Sequence, residues 1–333
     1  MESRQSPALS PPPAPRRWVH ILNAVGPFIG LVMVYFFFVF FGPPSFFTKS
    51  TLMTMAQQTV IVGIAALGAT AVIIAGGIDL SVGSMVGLVT VATGVALMHG
   101  WSAWTATTIG IAAGLVCGLV NGSLISLLGV GPFIVTLGTL LIFRGAAIGI
   151  AHEQTVSPDD LGFLGNLLGY LSPDRAWMIV PPGVWIMLGL AVLMAIVLRY
   201  TRLGRHFFAI GSNEQTARLC GIAITRVKII VYALAGMLTG VAGVMQFSRL
   251  NQGDPTAADG LELNVIAAVV IGGGSLNGGE GSVLGTFIGA LIMTVINTGC
   301  QQIGLNTWVQ KIVTGSIIII AVTLDRLRHR RST

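Results

Sequence analysis

The stretch TVIVGIAALGATAVIIAGGIDLSVGSMVGLVTVATGVALM, residues 59–98, consists of two apolar runs with one charged side chain between them, Asp79. An apolar run of about 20 residues is long enough for a helix to cross a bilayer. The stretch therefore predicts two membrane-spanning helices that meet at a break around Asp79.

The composition of the whole chain indicates a membrane protein. Its 333 residues are 53% hydrophobic and 9% charged, and their mean hydropathy is +0.84. Soluble domains carry about 25% charged residues because water must wet their surface. A water-soluble enzyme and a disordered chain are therefore excluded. The 44 glycines fit a membrane protein, since small residues let transmembrane helices approach closely.

Apolar runs recur along the chain, and we predict an all-α fold, a polytopic transmembrane bundle of ten spans with broken helices. The runs lie at about 18–41, 52–76, 80–98, 104–128, 132–150, 182–199, 229–247, 261–274, 282–301 and 308–324. We predict three regions: a Pro-rich disordered cytoplasmic tail at 1–17, a transmembrane domain at 18–325 with a cytoplasmic segment at 200–228, and a basic cytoplasmic tail at 326–333.

The distribution of basic residues predicts the orientation. Three clusters hold 13 of the 18 basic residues: Arg4, Arg16 and Arg17; Arg199, Arg202, Arg205, Arg218, Arg226 and Lys228; and Arg326, Arg328, Arg330 and Arg331. An even number of spans puts all three on one side, and the positive-inside rule makes that side cytoplasmic. We therefore expect both termini in the cytoplasm and the acidic loops 151–181 and 248–260 outside.

Two segments resemble each other within the chain. GLVNGSLISLLGVGPFIVTLGT (118–139) and VINTGCQQIGLNTWVQKIVTG (295–315) each place an Asn near the end of one span and a Gly turn before the next. In the ten-span topology the two segments run in opposite directions. This suggests, as a hypothesis, the inverted five-plus-five repeat that is common in transporter folds.

The motif AGGIDLSVGS, residues 75–84, places a carboxylate between apolar runs. A carboxylate that faces lipid costs several kcal/mol, so Asp79 is expected to face protein or a water-filled cavity. One interpretation is a broken helix beside a translocation path, with Ser81 or Ser84 satisfying freed backbone groups. The other is a cytoplasmic turn in which Asp79 caps the next helix.

The glycine-rich segment VVIGGGSLNGGEGSVLGT, residues 269–286, is not a phosphate-binding loop. No GxxxxGK[ST] motif occurs in the chain, and Glu280 stands where phosphate requires a cation. We predict a glycine hinge between two spans, with Glu280 in a polar cavity or at the cytoplasmic face.

The cytoplasmic segment TRLGRHFFAIGSNEQTARLCGIAITRVK, residues 201–228, contains a short capped helix. Ser212 or Asn213 supplies an N-cap, Ser212-x-x-Gln215 resembles a capping box, and Gly221 suits the position after the C-cap. A helix of about two turns is unstable alone in water. It therefore packs on the membrane domain or on a partner, whereas a simple positive-inside loop would explain only the arginines.

Arg144 lies well inside the span that contains TLGTLLIFRGAA, residues 136–147. An intramembrane arginine points to function by default. The alternatives are snorkelling to the outer interface or pairing with an acid.

Four of these segments together resemble the monosaccharide branch of the ABC-transporter permeases, the ribose, xylose and arabinose type. They are IAGGIDLSVGS (74–84), TLGTLLIFRG (136–145), RYTRLGRHFFAIGSNEQTARLCGI (199–222) and ELNVIAAVVIGGGSLNGGEGS (262–282), and the resemblance runs from about residue 20 to 325 in matching order. Thr216 departs mildly from the family pattern, which has Ala there.

The resemblance implies a multi-pass subunit of the bacterial inner membrane that imports a monosaccharide and is not itself an enzyme. The implied partners are a cytoplasmic ABC ATPase that binds ATP and Mg, a periplasmic sugar-binding protein, and a second permease copy or a paralogue; no cofactor is expected on this chain, and no nucleic acid. The coupling helix that docks on the ATPase is implied at Ser212, Asn213, Glu214, Ala217, Arg218, Leu219 and Gly221.

The candidates for the translocation path or its broken helices come from the polar residues of the spans. They are Asp79, Ser81, Asn121, Arg144, Asn264, Ser275, Asn277 and Glu280, and Gln57, Gln58, Thr136 and Asn297 are further polar residues that either line a path or join helices.

Other functions stay open at this point. Permeases for autoinducers, nucleosides, polyols or branched-chain amino acids share the transport class. An ion-coupled secondary transporter is disfavoured because Asp79 is the one clear mid-span acid, and a membrane-embedded enzyme would need His or paired carboxylates at membrane depth.

Overall fold

The computed structural model describes residues 17–169 and 177–330, and the side chains of 26–169 and 177–323. This part of the chain forms twelve α-helices and no named strand. The helices are α1 (Arg17–Phe41), α2 (Lys49–Ile74), α3 (Val82–Met98), α4 (Ala103–Leu128), α5 (Pro132–Ile150), α6 (Pro182–Tyr200), α7 (Arg202–Ser212), α8 (Glu214–Leu219), α9 (Ile224–Leu250), α10 (Leu261–Ile271), α11 (Val283–Gln302) and α12 (Thr307–Arg330).

The prediction of a polytopic helical bundle is confirmed. Six described helices are long and apolar enough to cross a membrane, namely α2, α4, α5, α6, α9 and α11, and α1, α3, α10 and α12 contain shorter apolar stretches. These ten helices correspond one to one to the ten predicted spans. Helix α9 begins at Ile224, earlier than the predicted 229, because long basic side chains are good helix formers and do not end a helix.

Helix α2 lies at the centre of the bundle. Every residue from Thr59 to Ile74 is buried, and α2 packs against α9, α11, α10 and α6. A helix that is apolar on all sides is stable only when neighbours surround it, or when lipid does. The uniform hydrophobicity of residues 59–74 is therefore explained by burial in protein.

The closest helix pair is α4 with α9, and glycine makes the close approach. On α4 the glycines recur every four residues, at Gly110, Gly114, Gly118 and Gly122, and the middle two face Gly236 and Gly240 on α9. A Cβ added at Gly114 would lie within 2.7 Å of backbone atoms of Gly236 and Gly240. Small residues spaced by four let helix backbones touch, which is a common way for membrane helices to associate.

Two non-helical segments enter the bundle, and each precedes a short helix. Residues 75–81 join α2 to α3, and residues 251–260 join α9 to α10. Helix α10 has 11 residues, which corresponds to about 16 Å, so it covers only about half of a 30 Å hydrocarbon core. The predicted span at 261–274 is therefore a half-helix, and segment 251–260 supplies the rest of the crossing.

The loops divide into two sets on opposite sides of the bundle. On the first side, called the α8 side below, the end of α2 meets the end of α7 and the loop between α10 and α11. On the opposite side, an isolated antiparallel bridge joins Val156 to Gly253. Consecutive spans alternate between the two sides, as the ten-span topology requires.

The helix contacts repeat within the chain. Helices α3, α4 and α5 pack on one another as α10, α11 and α12 do, and α4 packs on α9 as α11 packs on α2. Exchanging α2–α5 with α9–α12 therefore preserves these pairings, and the two sets run in opposite directions. The repeat is four helices plus four rather than five plus five. The remaining two spans, α1 and α6, do not occupy matching positions, since α1 packs on α11 whereas α6 packs on α2.

The predicted tails fall largely outside the described residues. Of the first tail, only residue 17 is described, as the first residue of α1, and residues 331–333 of the second lie outside. Residues 326–330 continue α12 as helix.

Candidate functional site

Helix α8 begins at a different cap from the predicted capping box. The side chain of Asn213 accepts a hydrogen bond from the backbone N–H of Thr216 at 2.9 Å, so Asn213 is the N-cap. Ser212 is the last residue of α7 and does not cap α8. The prediction of Asn213 as the N-cap is therefore confirmed. The predicted capping box of Ser212 with Gln215 is wrong, because the N-cap is one residue later than Ser212.

Gly221 ends the segment as predicted. It lies at φ +82°, a left-handed conformation that glycine adopts without strain. The N–H of Gly221 donates to the carbonyl of Arg218 at 3.0 Å, and the N–H of Ile222 donates to the carbonyl of Ala217 at 3.1 Å. These two bonds form a Schellman motif, which satisfies the last carbonyls of α8.

The apolar residues of α8 point in different directions. Ala217 is 4% exposed and packs in the main hydrophobic cluster of the chain, whereas Leu219 is 88% exposed. Helix α8 therefore has no common apolar face for a partner, because Ala217 is used for packing on this chain itself. A partner that meets α8 contacts Leu219 together with the exposed Gln215 and Arg218.

Glu214 fixes α8 to the bundle. Its carboxylate lies 3.3 Å from Arg218 on the same helix and 2.7 Å from the Nζ atom of Lys228 on α9. The pair with Lys228 joins two helices, and the Lys228 side chain is only 22% exposed. Helix α8 is therefore held as part of the membrane domain rather than on a free loop.

Helix α7 was not predicted from the sequence. Its N-cap is Thr201, which accepts a hydrogen bond from the N–H of Gly204 at 3.2 Å, and its buried side chains include Phe207 and Ile210. The signal was present, since Phe207 and Ile210 are spaced by three as on one helix face. The arginines around this face indicate the topology but not the helix.

The segment around α8 contacts the end of α2 and the glycine-rich loop between α10 and α11. The N–H of Gly279 donates to the carbonyl oxygen of Ile74 at 2.9 Å, and a Cβ added at Gly211 would overlap that same oxygen. Gly211 is in the last turn of α7, Ile74 ends α2, and Gly279 is in the loop between α10 and α11. Three backbones therefore meet at one point, called the glycine junction below.

A cavity of about 300 Å³ lies beside the glycine junction. Its lining includes Ser212 and Asn213 from the α7–α8 turn, Gly77 from the break after α2, Tyr232 from α9, and Asn277. Glu214 also lines the cavity, so the structure brings three predicted coupling residues next to one predicted path residue, Asn277. The sequence did not single out Tyr232 as a residue of this cavity, since an aromatic residue in an apolar span gives no signal in sequence.

Asp79 is buried within the break rather than exposed on a turn, with 5% of its surface accessible. Its Oδ1 atom accepts hydrogen bonds from the N–H of Ser81 at 2.9 Å and from its hydroxyl at 2.6 Å. The Ser81 oxygen accepts in turn from the Asn121 amide at 2.8 Å. Asp79 and Asn121 therefore satisfy the non-helical backbone and the hydroxyl at the start of α3.

Two buried polar atoms in the same region have no hydrogen-bond partner among the described residues. They are the Oδ1 atom of Asn121 and the hydroxyl of Tyr232. Most buried polar groups are satisfied by protein or by ordered water. The region around the break is therefore polar at a depth where the surrounding helices are apolar.

Arg144 donates to backbone carbonyls of the segment between α9 and α10. Its Nη1 atom donates to the carbonyl oxygens of Pro255 at 2.6 Å and Ala257 at 2.9 Å. Arg144 therefore holds segment 251–260 against α5, and no acid among the described residues lies within ion-pair distance of it. Backbone carbonyls are frequent partners for intramembrane arginines.

The two breaks carry the same local motif. In the second break the Oδ1 atom of Asp254 accepts from the N–H and the hydroxyl of Thr256, at 2.8 and 2.7 Å, as Asp79 does from Ser81. Each motif stands before the shorter helix of its half of the repeat. The motif at Asp254 is exposed, whereas the one at Asp79 is buried.

Asparagines on α4 and α11 also occupy related positions. Asn121 on α4 donates to Ser81, the N-cap of α3, and Asn297 on α11 donates to Asn264 in the first turns of α10 at 3.4 Å. The resemblance between residues 118–139 and 295–315 contains these two asparagines. The repeat therefore extends to the side chains that support the two short helices.

The remaining predicted residues take structural positions in loops and between helices. Ser275 is buried and its hydroxyl accepts from the N–H of Asn277 at 3.3 Å, and Glu280 is exposed, so it lies at the surface rather than in a cavity. Gln57 donates to the carbonyl of Leu168, and Gln58 accepts from Thr298 at 3.4 Å. The two glutamines therefore join elements of the bundle.

Comparison with known proteins identifies the relatives of this chain. The family model described as branched-chain amino acid transport system / permease component matches residues 51–322. The ribose import permease protein of Escherichia coli K12 is 41% identical, with 86% of this chain and 88% of that protein covered.

Two further relatives are similar over most of their length. The ribose import permease protein of Bacillus subtilis 168 is 38% identical, with 92% of this chain and 94% of that protein covered. The xylose transport system permease protein of Escherichia coli K12 is 33% identical, with 91% of each chain covered. No solved structure matches this chain.

Proposed function

Because the chain belongs to the family of branched-chain amino acid transport system permease components, we propose that it is the membrane-spanning subunit of an ABC importer for a monosaccharide. Ribose and xylose are named for relatives that match almost the whole chain. The sparse charge within the spans supports a neutral polar solute, which needs hydrogen bonds rather than ion pairs. The second candidate is a branched-chain amino acid, which the family description names.

The observation that carries the coupling role is helix α8 itself. It is capped at both ends, tied to α9 through Glu214 and Lys228, and it presents Leu219 outward without an intramolecular contact to cover it. An exposed leucine beside an exposed arginine is a suitable contact for a cytoplasmic ATPase. Because Gly211 adjoins the end of α2 and the loop between α10 and α11 at the glycine junction, a displacement of α8 would reach α2 and that loop directly.

The chain is proposed to be a transport subunit without catalytic activity of its own. Its glycine-rich loop at 272–282 is occupied by backbone contacts to α2 and α7, and it offers Glu280 rather than a cation. We propose that ATP and Mg bind to the partner ATPase and that this chain carries no cofactor.

We propose a translocation path that follows the two breaks. Asp79, Ser81 and Asn121 define the first break, and Arg144 and Asn264 border the second. Both sets contain polar groups at membrane depth that are held by protein rather than exposed to lipid, as expected of non-helical backbone along a path.

The orientation that fits this role places the α8 side, with both termini, in the cytoplasm of a bacterial cell. The opposite side carries the exposed acids Glu153, Asp159, Asp160 and Asp259, and it would receive a periplasmic sugar-binding protein. We propose that two permease subunits, identical or paralogous, form the complete membrane unit.

Reconstitution tests the function directly. The permease is placed in liposomes with its cognate ATPase and binding protein, and uptake of labelled ribose, xylose and leucine is measured with and without ATP. We expect ATP-dependent accumulation of one sugar. Accumulation of leucine instead would assign the second candidate, and uptake that needs an ion gradient but no ATP would contradict an ABC importer.

A further inference from the structure

Glu262 is an acid that lies near the middle of the membrane. It is the second residue of α10, and nine residues, about 14 Å, separate it from Ile271 at the end of that helix on the α8 side. This distance is about half of a 30 Å hydrocarbon core. The sequence gives no sign of this depth, because Glu262 stands at the start of an apolar run. Acids at such a depth are rare and are commonly functional.

The carboxylate of Glu262 packs on a glycine of the other short helix. A Cβ added at Gly83 on α3 would overlap its Oε2 atom and lie 2.6 Å from the carbonyl oxygen of Ala258. Gly83 is the second residue of α3, as Glu262 is of α10. The first turns of the two counterpart helices therefore meet at this carboxylate. In transporters built from inverted repeats, solute sites lie near the midplane where the two repeats meet.

Arg144 lies one helical turn away on the same face of α3. A Cβ added at Gly87 would lie 2.7 Å from its Nη1 atom, and Gly83 and Gly87 are four residues apart, which is about 6 Å along the helix. Among the described residues, no ion pair joins Arg144 to Glu262. The two glycines therefore form a floor without side chains, with a carboxylate at one end and a guanidinium at the other.

Both charged groups keep hydrogen-bonding capacity. The donors that reach the Glu262 carboxylate are backbone N–H groups of the first turn, those of Gly260 and of Glu262 itself, and a carboxylate can accept more bonds than these. Arg144 uses its Nη1 atom for the carbonyls of Pro255 and Ala257. Its Nε and Nη2 atoms donate to no other described residue. One acceptor and one donor are therefore left for a ligand.

The chemistry of this pair suits a neutral solute with several hydroxyl groups. Adjacent hydroxyl groups of a sugar can donate to the two oxygens of one carboxylate, and another hydroxyl oxygen can accept from a guanidinium. An anionic solute would be repelled by Glu262, and a cationic one by Arg144. A zwitterion such as leucine also meets opposite charges here, and the experiment below separates it from a sugar.

We propose that Glu262 recognises the transported sugar at the midplane by accepting hydrogen bonds from its hydroxyl groups, while Arg144 donates from the other end of the glycine floor. This assignment rests on the proposed function, because it gives that solute its binding residue. Glu262 packs directly on Gly83, so the first turns of α3 and α10 must separate before a sugar enters. Movement of one repeat against the other is the usual way in which such sites open.

Two substitutions separate the charge of Glu262 from its shape. Glu262→Gln keeps the size and replaces the anion with a neutral amide, whereas Glu262→Asp keeps the anion on a side chain that is one methylene shorter. The matched control is Glu280→Gln, the same change at an exposed glutamate of the loop before α11. Each permease is reconstituted in liposomes with its cognate ATPase and binding protein. Uptake of labelled ribose, xylose and leucine, ATP hydrolysis, and the melting temperature of the permease are measured.

We expect Glu262→Gln to lower the number of sugar molecules transported per ATP roughly tenfold, because hydrogen bonds to a charged acceptor are stronger than those to a neutral one. ATP hydrolysis stimulated by the loaded binding protein and the melting temperature should stay near the wild-type values, since the lost contact is with the solute. Glu262→Asp should recover part of the uptake, and Glu280→Gln should behave like wild type.

Three results would overturn the role of Glu262. The first is wild-type sugar uptake per ATP in Glu262→Gln. The second is a parallel fall of uptake, ATP hydrolysis and melting temperature, which would show a structural role. The third is an uptake in Glu262→Asp that is no higher than in Glu262→Gln. Failure of the proposed function is seen separately, in the wild type and the control, as accumulation of leucine in place of a sugar, and it would also remove the sugar assigned to Glu262.

Discussion

The amide of Gly279 donates a hydrogen bond to the carbonyl oxygen of Ile74 at 2.9 Å, and the Cα of Gly211 packs beside the same oxygen. Through this one carbonyl the end of α2, the loop before α11 and the last turn of α7 are in backbone contact. Backbone contacts of this kind leave no side chain that could rearrange to absorb a movement. A displacement of the α7–α8 segment must therefore move the end of α2 or the loop before α11.

The first prediction concerns Gly211→Ala. The added methyl group would overlap the Ile74 carbonyl and lie 2.6 Å from the nitrogen of Gly279. Overpacking typically costs about 1–3 kcal/mol, and here the neighbours are backbone atoms. We expect a lower melting temperature and fewer solute molecules transported per ATP hydrolysed.

The control for this substitution is Gly131→Ala, at the start of α5 on the same side. An added Cβ there meets no atom within 4 Å, and the residue has φ −56°, which alanine adopts readily. We expect wild-type stability and transport for this variant. If Gly211→Ala behaves like Gly131→Ala, the glycine junction does not transmit movement.

The second prediction separates docking from folding on α8. Leu219 is 88% exposed, so Leu219→Arg should change the free energy of unfolding by less than about 0.5 kcal/mol. Ala217 is 4% exposed, so Ala217→Arg buries an unpaired charge and should destabilise the permease itself by several kcal/mol. The two variants are compared by thermal unfolding of the permease and by co-purification with its cognate ATPase.

We expect Leu219→Arg to keep the melting temperature and to lose most of the bound ATPase. Leu203→Arg, an exposed leucine on α7 of the same side, is the control and should retain the ATPase. Normal ATPase binding by Leu219→Arg would mean that α8 is not the docking element.

The third prediction uses a native cysteine to test the orientation. Of the three cysteines only Cys220, directly after α8, is exposed, and Cys117 and Cys300 are buried. A membrane-impermeant maleimide should therefore label inside-out vesicles and spare intact spheroplasts. In a Cys220→Ser background the exposed Asp160→Cys should show the reverse pattern. Labelling of Cys220 in intact spheroplasts would invert the proposed topology.

The sequence was sufficient for the positions of the ten apolar helices, because hydrophobic length is a property of each segment alone. It was also sufficient for Asn213 and Gly221 as the ends of α8, because capping depends on neighbouring residues. The half-length of α10 could not be read from its composition. Only the descent of residues 251–260 into the bundle shows that the first residue of α10 lies inside the bundle.

The main error of sequence reasoning concerned which side of a helix is buried. Ala217 and Leu219 are two residues apart on α8, and no local rule distinguishes which of them faces the chain's own core. The partners of Arg144 were missed for a similar reason. Its two acceptors are backbone carbonyls more than 100 residues away, and carbonyls leave no signature in sequence.

The fourth prediction concerns Asp79, and the repeat supplies its control. Asp79→Asn keeps an oxygen that can accept from the N–H and hydroxyl of Ser81, whereas Asp79→Leu leaves both donors buried without that acceptor. An unsatisfied buried donor costs about 1–3 kcal/mol, so we expect Asp79→Leu to lower the melting temperature strongly and abolish uptake, and Asp79→Asn to retain part of the stability and part of the uptake.

Asp254→Leu removes the same pair of bonds, to Thr256, at an exposed site where water can replace the acceptor. Thermal unfolding and solute uptake should therefore change much less for Asp254→Leu, and equal losses in the two Leu variants would show that burial of the Asp79 motif is not what makes it important.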